Sequence, residues 1–220
     1  MPVIDALHGA PDFGIEPAAH LLAALAQEFP RKAVFMAVVD PGVGGRRDAL
    51  VVEADGRRFV GPDNGLLSVL WGRARRRRCF RIAWRPERLG ASFHGRDLFA
   101  PVAAALAAKR LPARWLAAKR APDVLLPSAD LPRIIYIDHY GNAATGIRVS
   151  SLSRKSVLKC AGRALRYART FEDAPGPFWH ENSMGLAEIA APRASAARIL
   201  RLRIGTPLRL ASESGSRGSR

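Results

Sequence analysis

The chain has 220 residues, 48% of them hydrophobic, and a formal net charge of +16. That length and apolar content can bury a sizeable core, as one large or two small domains, which excludes an unfolded chain. No apolar run reaches the roughly 20 residues of a membrane span, and Met1-Pro2-Val3-Ile4-Asp5 lacks the basic and apolar regions of a signal peptide, so a cytoplasmic protein with no membrane partner is expected.

From the N-terminus, Val3 to Leu7 reads as a short strand. Ala18, Leu21, Leu22 and Leu25 recur at helical spacing and predict an amphipathic helix ending near Phe29-Pro30. Ala33 to Val39 is a continuous apolar run, the pattern of a strand buried on both faces. Ala49 to Ala54 and Arg57 to Val60 flank Asp55-Gly56, a strong hairpin signal. Asn64-Gly65 opens an apolar stretch through Trp71. The basic run Arg73 to Arg78 follows. Only five of the 35 basic residues are lysine, and the arginines are spread along the chain. The run has no interleaved aromatic platform for bases, so it reads as a solvated face or loop, with phosphate binding as the alternative. Nucleic acid is not expected as a partner. Phe99, Val102, Ala103 and Leu106 share one face of a helix that tolerates Pro101 in its first turn, with Asp97 as its N-cap.

Pro122, Pro127 and Pro132 mark a linker. Beyond it, Arg133–Ile137, Ile147–Val149, Ser156–Leu158, Ala164–Tyr167, Ala187–Ala190 and Leu200–Ile204 read as short strands between turns, the signature of a small β domain. The expected organisation is an α/β domain over 1–121, a linker over 122–132, a β domain over 133–210 and a disordered tail over 211–220. Cys79 and Cys160 lie far apart without metal-ligand spacing and are expected to be buried free thiols.

Four segments place polar residues beside glycine or proline after an apolar run, where α/β proteins build sites. Asp40 precedes Pro41-Gly42-Val43-Gly44-Gly45, which cannot be a Walker loop because Arg46-Arg47 follow in place of Lys and Ser or Thr. At this spacing one of the two arginines can point with Asp40. The second segment is Gly61-Pro62-Asp63-Asn64-Gly65. In the third, His94 stands beside Gly95, where a ligand could approach the backbone. In the fourth, Asp138 and Asn142 bracket His139-Tyr140-Gly141, a hairpin turn or a polar ligand site. Glu181-Asn182-Ser183-Met184-Gly185 shares that ambiguity. The five histidines lack zinc-ligand spacing, so no metal is expected, and no Gly-x-Ser-x-Gly elbow suggests a serine hydrolase.

Asp-Pro-Gly-Val-Gly-x-x-Arg, Gly-Pro-Asp-Asn-Gly-Leu, Phe-His-Gly-Arg-Asp and Asp-x-aromatic-Gly-Asn, in this order from about residue 4 to residue 208, resemble the S-adenosylmethionine hydrolase family. These enzymes are also called SAM hydroxide adenosyltransferases and are relatives of the fluorinases and chlorinases. The resemblance implies a Rossmann-like sheet with flanking helices and a small C-terminal antiparallel β-barrel. It implies hydrolysis of S-adenosylmethionine to adenosine and methionine, without cofactor, by a water or hydroxide held by Asp40, Arg47 and His94. It places Asp138 and Asn142 on the methionine end, Tyr140 against adenine, Ser183 at the methionine carboxylate and Phe13 over the substrate. It also implies a homotrimer with sites between subunits. Retention of Asp40 and His94 implies water as nucleophile and not halide. The family's opening strand, ending in Thr-Asp-Phe-Gly, and its helix are expected to be missing here, with Asp12-Phe13-Gly14 a coincidental match. A catalytically impaired paralogue is the alternative reading.

Overall fold

The structure, a computed structural model, describes residues 2–211. The chain divides into two compact units, one ending at Ala129 and the other beginning at Asp130. Among the described residues no helix is long and apolar enough to cross a membrane.

The first unit contains α1 (Ile15–Leu25), β1 (Val34–Met36), β2 (Ala49–Ala54), β3 (Arg57–Pro62), α2 (Ser68–Arg73), β4 (Arg77–Ile82), α3 (Ala100–Ala107) and β5 (Leu116–Lys119). Its five strands form one sheet in the order β1-β3-β2-β4-β5. The apolar run at the start of β2 explains the layering. Leu50 and Val52 join Phe59, Leu67 and the α1 residue Ala19 in a core on one face. Ala49 and Val51 join Val60, Phe99 and Val102 of α3 on the other. A strand apolar on both sides needs cover on both sides.

The sheet departs from the Rossmann-like expectation. β1 and β3 are parallel, while the β2–β3, β2–β4 and β4–β5 pairings are antiparallel. The reason is local: Asp55 (φ 47) and Gly56 (φ 90) form a two-residue primed turn, which can join only antiparallel neighbours. Among the described residues β1 is an edge strand, and the run Ala33–Val39 is not buried on both faces. Met36 is 49% and Val38 40% exposed. Residues 3–7 form no strand and find no ladder partner; Val3 is 91% exposed. The arginine run fits the expectation of a solvated face, with residues 75–78 exposed. Arg77 and Arg78 open β4, their guanidinium carbons 4.8 Å and 5.0 Å from the ring centres of Trp71 and Phe80. Long stems that cover apolar rings let arginine occupy a strand.

The second unit contains β6 (Leu131–Ile137), β7 (Ala143–Arg148), β8 (Val157–Cys160), β9 (Arg163–Leu165), β10 (Phe178–Glu181), β11 (Leu186–Ala190), α4 (Ala196–Leu200) and β12 (Leu208–Ala211). Two antiparallel sheets, β10-β11-β7-β6 and β12-β8-β9, carry this unit, and an isolated bridge between Tyr167 and Trp179 links the end after β9 to β10. Arg133 and Pro207 make an isolated bridge outside both ladders, and breaks of register in the β6–β7 and β7–β11 pairs interrupt regular pairing. The stretch expected as a strand over Leu200–Ile204 instead follows a helix. Ser195 Oγ accepts the Arg198 N–H as an N-cap, Ala196 and Leu200 bury one face, and Arg201 ends α4 in the left-handed region. Ala211 closes β12, and the remainder of the expected tail lies outside the described residues. Cys79 and Cys160 are free and buried as expected, and burial raises both thiols, Cys79 to about 11.

Trp179 anchors this unit's core. It is fully buried, stacks edge-on with Tyr167 and donates its indole N–H to the Ser156 carbonyl at 3.0 Å. Trp179→Ala is expected to cost about 3–5 kcal/mol, read as a fall in the urea midpoint without a change in m-value.

Candidate active site

The ends of β1, β2 and β3 meet at one edge of the first unit's sheet. Asp40 lies in the turn after β1, and Arg47 lies two residues before β2. Gly44 (φ 81) is what lets the intervening loop close. A Cβ there would stand 2.4 Å from the Ala91 carbonyl oxygen, so only glycine permits this approach to the segment carrying His94.

The result is a three-residue cluster. Arg47 Nε donates to both carboxylate oxygens of Asp40 at 3.0 Å, and Nη2 donates to Asp40 Oδ2. The same Nη2 stands 3.0 Å from His94 Nδ1. Nη1 reaches the Asp48 carbonyl at 3.4 Å, and the guanidinium lies 5.3 Å from the centre of the Phe99 ring. The side chains of Asp40 and Arg47 are 4% and 11% exposed, while Arg46 is exposed, so Arg47 is the arginine that turns inward.

This geometry fixes the imidazole. Arginine can only donate, so Nδ1 must accept, and a neutral His94 carries its proton on Nε2. Burial lowers the His94 pKa, and the adjacent Arg47 charge lowers it further, against an opposing pull from Asp40. His94 begins a π-helical turn, Gly95–Phe99, that runs into α3. A Cβ at Gly42 or Gly95 would meet nothing within 4 Å, so open space adjoins both segments. Asp97, expected as the N-cap, instead lies within that turn. Its carboxylate pairs with Arg96 and accepts the Gly90 N–H at 2.9 Å.

The second unit holds the other polar set. Asp138 Oδ1 accepts the Asn142 backbone N–H at 2.8 Å, and Oδ2 accepts the Asn142 side-chain amide at 3.0 Å. Gly141 N–H donates to the Asp138 carbonyl, closing the turn. Tyr140 is 69% exposed and leans on His139, with ring centres 3.7 Å apart. Ser183 is exposed on the turn that Asn182 Oδ1 organises by accepting the Met184 and Leu186 N–H groups. Phe13 is 80% exposed with a left-handed backbone. Among the described residues, no hydrogen bond, ion pair or ring contact joins it to Asp40, Arg47 or His94.

A supporting cluster was not foreseen. Lys119 Nζ bonds Asp123 at 2.7 Å and Asp48 at 2.8 Å, and lies 3.2 Å from Asp63, whose side chain is 1% exposed. Burial opposes the ammonium charge, but the bonds to Asp123, Asp48 and Asp63 outweigh it and raise the pKa. These three carboxylates are close enough together to hold a cation, and Lys119 supplies one. Asp63 stood in one of the four polar segments, but Asp48 was not singled out. Lys119, a lone lysine in an unremarked stretch, gave no signal.

The Asp63-Asn64 turn is bonded to the site on both sides. The Asp63 N–H donates to the Asp48 carbonyl at 2.9 Å, one residue from Arg47. Asn64 Nδ2 donates to the Val39 carbonyl at 2.9 Å, one residue from Asp40, while its Oδ1 accepts the Leu66 N–H. One turn therefore ties down both partners of the buried pair. Asn64→Ala is expected to lower the turnover proposed below about tenfold while costing about 1–3 kcal/mol of stability. Unfolding curves and steady-state rates on the same preparation would check both.

Residues 1–115 match the SAM hydroxide adenosyltransferase N-terminal domain, and residues 132–209 match the corresponding C-terminal domain. An (R)-S-adenosyl-L-methionine hydrolase from Salinispora arenicola is 40% identical over 94% of this chain and 85% of its own length. The enzyme of the same name from Thermus thermophilus is 36% identical over 94% of this chain and 87% of its own. Among solved structures, an uncharacterized conserved protein from Thermotoga maritima superposes with a TM-score of 0.85 at 28% identity, covering 96% of this chain and 89% of that one. With both domains matched and relatives this similar along nearly its whole length, the chain belongs to the SAM hydroxide adenosyltransferase family.

Proposed function

We propose that the protein hydrolyses S-adenosyl-L-methionine to adenosine and L-methionine. The observation that carries this reading is the closed Asp40–Arg47–His94 cluster beside open space, in a chain whose relatives bear the name of that hydrolase. The oxygen of a bound water attacks ribose C5′, the C5′–S bond breaks, and its electron pair neutralises the sulfonium to the thioether of methionine. One water proton leaves to solvent. A sulfonium needs no acid to help it depart, so the task of the site is to position the nucleophile.

In this reading Asp40 accepts a hydrogen bond from the water, His94 Nε2–H donates to its lone pair, and Arg47 favours hydroxide character. Asp138 and Asn142 hold the methionine end, Ser183 its carboxylate, and Tyr140 lies by the adenine. Of the aromatics over 171–179, Phe171 is the best placed to add a stacking face, because it is 41% exposed while Phe178 and Trp179 are buried. Phe13 packs over the substrate once it is bound. No cofactor enters the reaction. The family resemblance supports a homotrimer in which one subunit's nucleophile set works with a neighbour's methionine set, and sedimentation would test it. A cytoplasmic location fits two buried free thiols.

The direct test is chromatographic detection of adenosine from the purified chain and S-adenosylmethionine. Wild type is expected to release it, and His94→Gln to release it at least tenfold more slowly. Binding without adenosine release by wild type would sink the reading in favour of an impaired paralogue.

A further inference from the structure

The opposite end of the first unit's sheet carries a second concave feature. A cavity of about 290 Å³ opens where the β2–β3 turn meets the start of β4. Six cationic residues line it: Lys32, Arg57, Arg58, Arg76, Arg77 and Arg78, of which Arg57 and Arg77 alternate with Arg58 and Arg78 and send their side chains to the other face of the sheet. The one carboxylate among the lining residues is Glu53, whose position is set by the strand register. Glu53 faces Arg58 of β3 on one side and Arg78 of β4 on the other, so a single negative charge lies between two positive ones. Its ion pair with Arg78 is a loose 3.6 Å.

Several of these cations are already occupied. Arg57 donates to the Phe29 and Gln27 carbonyls, and Arg77 to the Trp71 carbonyl. The side chains of Lys32 and Arg76 are exposed and form no hydrogen bond or ion pair within the described residues. The lining thus combines fixed positive charges that set the field with two donors left for a guest. Like charges gathered in a concavity raise the local potential and concentrate anions. Guanidinium forks match the oxygens of phosphate in pairs. The volume lies at the small end of the roughly 300–1,000 Å³ of ligand pockets, which suits a compact ligand. β2 has six residues, so the cavity stands about 20 Å along that strand from the Arg47 end of the sheet.

We propose that this cavity binds a short phosphate chain, either inorganic oligophosphate or the phosphate tail of a nucleotide. The site is independent of the hydrolytic one. Lys32 and Arg76 grip the phosphates, while Arg58, which donates to the Leu106 carbonyl, and Arg78, which pairs with Glu53, add positive charge beside them. The arginine run therefore has a ligand role that its lack of aromatic platforms had pointed away from nucleic acid.

Calorimetric titration of the full chain at 0.1 M salt tests the site, with tripolyphosphate and ATP as separate probes. Saturable binding of one equivalent per chain is expected, weakened at least tenfold in Lys32→Glu/Arg76→Glu. Comparable affinities would assign the phosphate chain itself, and tenfold tighter ATP would assign a nucleotide. The control Arg163→Glu/Arg209→Glu makes the same change of net charge on exposed strands of the second unit and should leave both affinities within twofold. An equal loss in that control would reduce the effect to the overall charge and overturn the proposal. So would absence of saturable binding by wild type, or tight binding of a 20-nucleotide oligouridine that tripolyphosphate fails to displace. If the reversed pair does not fold, Lys32→Gln/Arg76→Gln should still lose at least threefold; an unchanged affinity there overturns the site.

Discussion

Arg47→Gln is expected to slow adenosine formation by about 10²–10³-fold, the scale of losing a preorganised charged donor from a buried site. The substitution removes the donors that bind Asp40 and leaves a carboxylate that is only 4% exposed without its counter-charge. Its second effect falls on His94. Burial lowers that imidazole first, and the Arg47 charge second, while Asp40 pulls the other way. With Arg47 gone its lowering charge is lost while the raising charge of Asp40 remains, so the His94 pKa should rise. An NMR titration of the imidazole protons in both proteins would read it directly. A His94 pKa that stays put or falls in Arg47→Gln would contradict the electrostatic account, whatever the rate does.

The wild-type pH dependence has a definite sign. Because the folded-state pKa lies below the free value of about 6.5, the active neutral imidazole persists throughout neutral pH, and the acid limb of the rate should lie below about 6.5. Stability follows the same direction. As pH falls through about 6.5 the unfolded chain takes up this proton before the folded one, so acid erodes the contribution down to the folded-state value.

The second large effect is expected at Gly141→Ala. Gly141 has φ 88, and a Cβ there would stand 1.9 Å from Ser195 Oγ, 2.6 Å from its Cβ and 3.1 Å from its Cα. The left-handed backbone alone costs about 1–2 kcal/mol for an L-residue, and the collision adds to it. Relief by moving Ser195 is opposed from two sides, since its Oγ caps α4 and the Gly141 carbonyl accepts the Ala197 N–H at 2.9 Å. The turn carrying Asp138 and Asn142 must therefore shift. A drop in melting temperature should accompany at least a tenfold rise in KM. The double change Gly141→Ala/Ser195→Gly removes the clash and not the backbone strain, and glycine costs only a few tenths of a kcal/mol as an N-cap. It should recover part of the loss. Full recovery would show that the positive φ is unimportant, and no recovery that the collision is.

What could be read from the chain differed by physical cause. The Asp55-Gly56 hairpin was legible because two residues with positive φ specify one turn and the pairing it allows. That one of Arg46 and Arg47 would turn toward Asp40 was legible in the short loop, but which one came from the family resemblance and not from the spacing. Parallel against antiparallel pairing was not legible beyond that hairpin, since β4 and β5 look nothing like strands by composition. Their register depends on partners far along the chain. α4 was not foreseen, and its last residue, Leu200, was read as the start of a strand, because a five-residue helix offers barely one turn of periodicity; its Ser195 cap was the signal that could have found it. Lys119 could not have been found, because its meaning comes from three aspartates that only the folded sheet brings together.

Because His94 Nδ1 must stay unprotonated to accept from Arg47, the contact also sets the charge that a ligand meets. With Asp40 negative, Arg47 positive and His94 neutral, the cluster sums to zero, within a chain that carries +16 overall. A sulfonium is a cation that must come to rest close by. Protonating His94 would place a second positive charge in its path, so acid should weaken productive capture of the substrate as well as the step that follows. The arginine that holds the histidine by its Nδ1 thereby keeps the approach to the sulfonium's resting place free of net repulsion.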